Sequence, residues 1–416
     1  MKVTMVIPTY WGRKKSEGFR ETDSIYDHPT PLDETGTLGR ALESLSILKN
    51  KDFNLVILGV STAQDIREEV ESKISSIVKK SAPDAETLFF SYSHLAKVHQ
   101  HLTQHNKESF IPLLQLDGYS NVRNLCLFSA HFSGSEVAVL IDDDEIFEDP
   151  LFMEKALEFI GKTHEDNHVL AVAGYYINPD GDFLINKEIS PWMVHWNKID
   201  CMNRAFKKVI GQGPRLKETP FVFGGNAVIH RDLFTKVPFD PLITRGEDID
   251  FLINAKMFGY KFFLDNQLSI KHEAPPKPHP EWRKVREDIY RFVFEKRKLE
   301  TQEALPGMVK ITAEDLGIYP GEFLKEDQEE RIIRSNKMLA MDYSSKDDKK
   351  GVAECMKNIH LAQTALPPEV NPFKNLVNLQ KSWINLMEHF SSKKVRQEVC
   401  GQLGFPHLYS RKPSLS

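Results

Sequence analysis

The sequence predicts an α/β protein: a mostly parallel sheet flanked by helices, followed by a helical C-terminal region. Short, nearly continuous apolar runs recur at Val3–Ile7, Asn54–Val60 and Val137–Ile141, as expected for strands covered on both faces. Stretches with helical periodicity separate these runs, and strand–helix alternation is the grammar of a parallel sheet. The segment Pro275, Pro276, Lys277, Pro278, His279, Pro280 then breaks the pattern and marks an expected boundary between a domain at 1–275 and a helical extension at 276–416.

Composition narrows the function classes. A chain of 416 residues exceeds one minimal domain. Its 54 basic and 59 acidic residues leave a net charge of -5, which gives no global attraction to nucleic acid, so nucleic acid is not an expected partner and any anion site must be local. Cys126, Cys201, Cys355 and Cys400 are far apart and form no CxxC pair, so neither a disulfide framework nor a zinc knuckle is expected; a reducing, cytoplasmic setting is. No apolar run approaches the roughly 18 to 20 residues of a transmembrane segment. The strand-like Met1–Tyr10 lacks the long apolar run of a signal peptide.

Along the chain, the first strand is expected to end at Pro8, Thr9 and Tyr10. A polar insertion, Trp11–Gly36, precedes a helix at Leu38–Leu48; a loop this long is either functional or mobile. After the strand Asn54–Val60, Ser61 and Thr62 are cap candidates for a helix near Asp65–Lys80. Thr87–Tyr92 reads as a strand, and Ser93–His105 as a helix or polar connection. There His101 and His105 have the i, i+4 spacing of a helical metal pair, without the HExxH context; an exposed face carrying histidines by chance is the commoner case. Gly118–Ser133 is a turn leading into a helix, Val169–Tyr175 a strand and Tyr176–Lys187 a hairpin turn.

Trp192–Arg215, with Trp192, His195, Trp196 and Asn197, suits a sugar or acceptor platform and an irregular surface segment equally well. Phe221–Ile229 reads as a strand interrupted by Gly224 and Gly225, where a ligand or backbone comes close. A helix Glu247–Phe258 follows Gly246, and strands at Tyr260–Leu264 and Leu268–Lys271 lead to His272. Beyond Pro280, Trp282–Thr301, Asp327–Met341 and Leu376–Phe390 have helical patterns, with Val352–Ala365 a weaker one. The basic residues of the first are interleaved with acids, as on a solvated face, and Tyr409–Ser416 is expected to be disordered.

The strand Val137–Ile141 stops abruptly in Asp142, Asp143, Asp144 and Glu145. A solvated loop is the ordinary explanation for such a cluster. A cation site at the carboxyl edge of an open sheet is the alternative, since paired carboxylates suit Mg²⁺ or Mn²⁺ holding a diphosphate. On an extended strand end Asp142 and Asp144 share one side and Asp143 takes the other.

Taken in order, Pro8-Thr9-Tyr10, Arg123-Asn124, LIDDDE, FGGNAVIHRDLF, RGEDIDFLINAKMFGYKFFLD and His272 resemble the family 2 glycosyltransferases of the GT-A fold, over about Lys2–Glu273. The resemblance implies a metal-dependent transfer of a hexose from a nucleotide sugar, UDP- or GDP-linked, to a hydroxyl acceptor that is a saccharide, a lipid or a small molecule. It implies Pro8, Thr9, Tyr10, Arg123, Asp142, Gly224 and Gly225 as donor-binding residues, and Asp144, Asp142 and His272 as ligands of Mn²⁺ or Mg²⁺. In inverting members the aspartate of the Glu-Asp pair is the general base, here Asp248, with Glu247 binding hydroxyls. Asp250 is the alternative base, although it lies on a different helix face. Arg123 either balances donor charge or ties its helix to the acidic strand.

Two departures stand out. The aspartate that reads the nucleobase in many relatives is replaced by Gly59, Val60, Ser61 and Thr62, with Asp65 only later, and the insertion at 11–36 is extra. The competing readings are a retaining transferase of the same fold, a sugar-phosphate nucleotidyltransferase, disfavoured because Pro8–Lys15 holds only Gly12, and a catalytically silent nucleotide-sugar binding protein.

Overall fold

The computed structural model describes residues 1–81, 85–275 and 279–403. The chain runs β1 (Val3–Gly12), α1 (Leu38–Ser44), β2 (Asn54–Ser61), α2 (Arg67–Ser81), β3 (Glu86–Phe90), α3 (Tyr92–Gln104), α4 (Tyr119–Phe132), β4 (Val137–Ile141), α5 (Phe152–Glu158), β5 (Ala171–Ile177), α6 (Lys198–Val209), β6 (Leu216–Glu218), β7 (Asn226–His230), α7 (Glu247–Met257) and β8 (Phe263–His272). Helices α8 (Glu281–Glu300), α9 (Gln328–Ser345), α10 (Lys349–Thr364), α11 (Pro372–His389) and α12 (Lys393–Leu403) follow. The expected boundary at Pro275–Pro280 lies partly, and the tail Tyr409–Ser416 wholly, outside the described residues.

The sheet order is β3-β2-β1-β4-β7-β5-β8-β6. Strands β3, β2, β1 and β4 are mutually parallel, β7 is antiparallel to both β4 and β5, and β8 is parallel to β5. This is the mixed α/β, mostly parallel sheet that the apolar runs predict, with the helical region after it.

Strand alternation divides the core in two. Val3, Met5, Ile7, Leu55, Ile57, Val137, Val139 and Ile141 join one cluster, under α2. Val6, Val56, Leu58, Ala138 and Leu140 join the other, under α3 and α4. That second cluster continues into Val285, Ile289, Phe292, Trp383 and Leu403, so the C-terminal helices close the same face as α4. The Trp383 indole N–H donates to the Phe234 carbonyl at 2.9 Å, and Phe390 packs edge-on against Phe128 with centroids 4.9 Å apart.

Several local expectations are corrected. Strand β1 does not stop at Pro8 but runs on to Gly12 beside β2; its pairing with β4 ends at Val6, so Pro8 lies where one flank is no longer laddered. Gly224 and Gly225 precede strand β7 rather than interrupt it, in a turn closed by the Asn226 N–H on the Phe223 carbonyl. Residues 178–182 form a turn, but no returning strand pairs with β5, so there is no hairpin. The two last predicted strands are one, β8, with a register irregularity between Leu264 and Ser269. Helix α6 inside Trp192–Arg215 was not anticipated. Trp192 and Trp196 are buried, Trp196 against Phe292 and Phe323, so they are packing residues rather than an exposed platform. Ser93–His105 and Val352–Ala365 resolve as the helices α3 and α10.

Candidate active site

The carboxyl ends of β1 and β4 open into a cavity of about 590 Å³, lined by Tyr10, Arg123, the three aspartates, Gly224, Glu247, Asp248 and His272. Parallel strands deliver their carboxyl ends to one edge, which is where open α/β sheets bind ligands.

The three aspartates diverge. Beyond Ile141 the chain turns, the Glu145 N–H reaching the Asp142 carbonyl at 3.3 Å, so the alternation of an extended strand does not apply. Asp142 therefore does not share a side with Asp144. Its carboxylate receives the Arg123 guanidinium at 2.8 and 3.0 Å, and the Arg123 Nε–H reaches Glu247 Oε1 at 3.3 Å. Arg123 thus does tie its helix to the acidic strand, and adds the start of α7. Asp143 accepts from the Thr9 hydroxyl at 2.5 Å, and Thr9 also receives the Trp11 indole N–H at 2.9 Å. Asp144 Oδ2 faces His272 Nε2 at 3.4 Å and His28 Nε2 at 3.5 Å. His28 belongs to the insertion, which also brings Tyr26 and Asp27 to the cavity wall.

Burial governs the charges here. It pushes the Asp143 carboxyl up to about 8, with the Asp144 charge adding to the effect, and drives Glu145 well above the usual range. Asp144 moves the other way: burial opposes ionisation, but His272 and then His28 hold it below its ordinary value. Burial raises Glu247 to about 7 against the pull of Arg123, and raises Asp248 against the Ile249 N–H that donates to it at 2.8 Å.

Two glycines are required by close approach. A Cβ on Gly225 would meet Glu145 Oε1 at 2.2 Å and Asp142 Oδ2 at 2.5 Å. Gly246, at φ +73°, starts α7 where a Cβ would meet Arg291 Nη1 at 2.1 Å. The Gly225 N–H donates to the Tyr176 hydroxyl at 2.9 Å, and Tyr176 stacks on His272 at 4.6 Å.

Of the predicted residues, Tyr10, Arg123, Asp142, Asp144, Gly224, Glu247, Asp248 and His272 line the cavity. Thr9 supports Asp143 and Gly225 backs the acidic floor, whereas Pro8 lies within β1 and is not among the lining residues. Asp250 points away, receiving Lys298 Nζ at 2.5 Å in a fully buried cluster, so it has no access to a substrate. Sequence reasoning missed His28, Tyr176, Lys198, Asp288, Arg291 and Tyr319. Asp288 takes Lys198 at 2.5 Å and Arg291 at 3.1 Å; burial opposes its charge, yet these cations hold it down at about 2. Burial lowers Lys198 to about 8.

The Asp144 surroundings fit a divalent cation. The ligand atoms of Asp144, His272 and His28 do not all fall within 4.8 Å of one another, so one ion would take Asp144 with one imidazole, a pair that suits Mn²⁺ better than Mg²⁺, which prefers an all-oxygen shell.

No protein-family model and no curated protein matches the chain. Among solved structures, it is similar to the mannosyltransferase PcManGT from Pyrobaculum calidifontis in complex with GDP-Man and Mn²⁺, at 13% identity over 94% of this chain and 86% of that one, with a TM-score of 0.46. A mycobacterial protein gives 16% identity over 71% and 73%, TM-score 0.39. GalNAc-T7 with UDP, GalNAc and Mn²⁺ gives 13% over 74% and 52%, TM-score 0.31. Likeness at this level assigns no substrate to this chain.

Proposed function

We propose that the protein is a metal-dependent glycosyltransferase that moves a hexose from a nucleotide sugar to a hydroxyl acceptor, with inversion. The observation that carries this reading is the arrangement of carboxylates around one buried arginine: Arg123 bridges Asp142 and Glu247, which leaves Asp144 to face two imidazoles and Asp248 to face the cavity. A divalent ion would be held by Asp144 together with His272 and would supply positive charge for a diphosphate leaving group.

The chain's own residues account for the remainder. Asp248 takes the proton of the acceptor hydroxyl as its oxygen bonds to the anomeric carbon and the bond to the diphosphate breaks; a carboxyl raised by burial is a stronger base than a solvated one. Arg123 holds Asp142 and Glu247 in place, and Lys198, Arg245 and Arg291 give the far wall positive charge. Tyr10 and Tyr176 line the cavity as an aromatic wall, held by packing on Tyr26 and on His272. The nucleobase and the acceptor stay open in this reading.

The test is a panel of UDP- and GDP-sugars incubated with the protein with and without Mn²⁺, following nucleotide release. Mn²⁺-dependent release with at least one donor is expected. No binding and no release with any donor overturns the proposal.

A further inference from the structure

A second cluster of metal-ligating groups lies far from the cavity in sequence and contacts, where α12 packs on α3. One ligand atom from each of His101, His105 and Glu398 lies within 4.8 Å of the others. His101 is fully buried, and its Nδ1 is a buried ring nitrogen with no hydrogen-bond partner. It stands 3.5 Å from Glu398 Oε1, too long for a well-formed hydrogen bond. Ligand atoms about 2.0–2.2 Å from a tetrahedral centre sit about 3.3–3.6 Å apart, and this spacing matches two groups sharing an ion.

The other ring nitrogens are already engaged, which fixes which ones remain to bind. His105 Nδ1 lies 2.8 Å from the His101 carbonyl, and a carbonyl only accepts, so Nδ1 carries the proton and Nε2 is left with its lone pair. His101 Nε2 lies 3.3 Å from His389 Nε2 on α11. Donation from His101 in that pair leaves its Nδ1 as a lone pair aimed at Glu398. An outer hydrogen bond from each ligating imidazole is the usual support of a metal site.

We propose that His101 Nδ1, His105 Nε2 and Glu398 bind a zinc-class divalent cation that pins helix α12 to helix α3, with His389 orienting His101. A set of two imidazoles and one carboxylate suits Zn²⁺. The i, i+4 spacing of His101 and His105 supplies two of the three ligands, and Glu398, 293 residues beyond His105, completes the site only in the fold. The site is independent of the sugar-transfer reading and uses no residue of the cavity.

The full chain carrying Asp144→Ala, which removes the carboxylate facing the cavity histidines, is stripped with chelator and titrated with Zn²⁺ against a chromophoric competitor, alongside thermal melts. One equivalent of tight binding and a rise in Tm are expected. Adding His105→Ala or Glu398→Gln, both at exposed positions that leave folding intact, is expected to weaken Zn²⁺ roughly tenfold or more and to abolish the rise. No Zn²⁺ binding, or binding unchanged by both substitutions, overturns the proposal.

Discussion

Asp248 and Asp250 are the same residue type on the same helix, and the regions they face are built on opposite rules. About 200° of helix separates them. Asp248 faces a cavity that Asp142, Asp143, Asp144 and Glu247 also line, with Arg123 bridging Asp142 and Glu247, so acids outnumber cations on that wall. Asp250 faces a closed set: Lys298 Nζ at 2.5 Å, Asn254 Nδ2 at 2.7 Å on its other oxygen, and Asn254 Oδ1 on the same lysine at 2.8 Å. The closed set satisfies its members and holds α8 to α7. Burial raises the carboxyl of Asp250 as well as those of the open set, so what sets the open set apart is its access to the cavity, and that is where an acid, a base or a cation ligand is to be sought.

The sharpest way to break this contrast is to neutralise each acid's role in turn. Asp248→Asn is expected to lower turnover by about 10²–10⁴-fold while donor binding and thermal stability stay near wild type. Normal turnover would remove Asp248 as the base. Lys298→Met, by contrast, strands the buried charge of Asp250 and is expected to cost about 3–5 kcal/mol in urea unfolding, with donor affinity of the folded protein unchanged. An equal loss of function in the two variants would show that the regions are not separable.

The closed class also includes His131 on α4, whose Nε2 bonds the Met387 carbonyl of α11 at 2.7 Å. Burial lowers its pKa from 6.5 to about 4. The unfolded chain takes up this proton near pH 6.5 and the folded chain only near pH 4, so stability is whole above 6.5 and is lost as pH falls toward 4. The drop of about 2.5 units corresponds to about 3 kcal/mol at most. Urea midpoints of wild type and His131→Asn between pH 7 and 4.5 check this: the wild type's advantage should shrink as pH falls, and a constant gap would contradict it.

What the sequence discloses follows how local the information is. Val137–Ile141 ending in three aspartates, and Gly246 opening α7 with Glu247 and Asp248, are legible because strand period and helix start are set by near neighbours. The cavity wall from α8 is not: Asp288 and Arg291 read as one more solvated charged face, and only packing against Lys198 and Tyr319 shows them inward. His28 lay in an insertion without periodicity. Strand alternation puts Asp142 and Asp144 on one side, and it fails because the chain turns at Asp142, directly after Ile141.

The smallest expected effect falls on the ligand side of the open region. Asp144→Ala removes the one carboxylate shared by His28 and His272, and it leaves no charge stranded in a dry core, because both histidines remain partly exposed. Its thermal stability should therefore stay within about 1 kcal/mol of wild type, unlike Lys298→Met. Its apparent Mn²⁺ affinity in the donor-release assay should fall at least about tenfold. Since His272 and His28 hold the Asp144 carboxyl below its ordinary pKa, the wild-type residue stays anionic throughout the neutral range and into mild acid. If Mn²⁺ dependence were unchanged in Asp144→Ala, the cation would have to sit on the Asp142 side, where Arg123 already occupies the carboxylate, and the division between open and closed acids would need redrawing around Arg123.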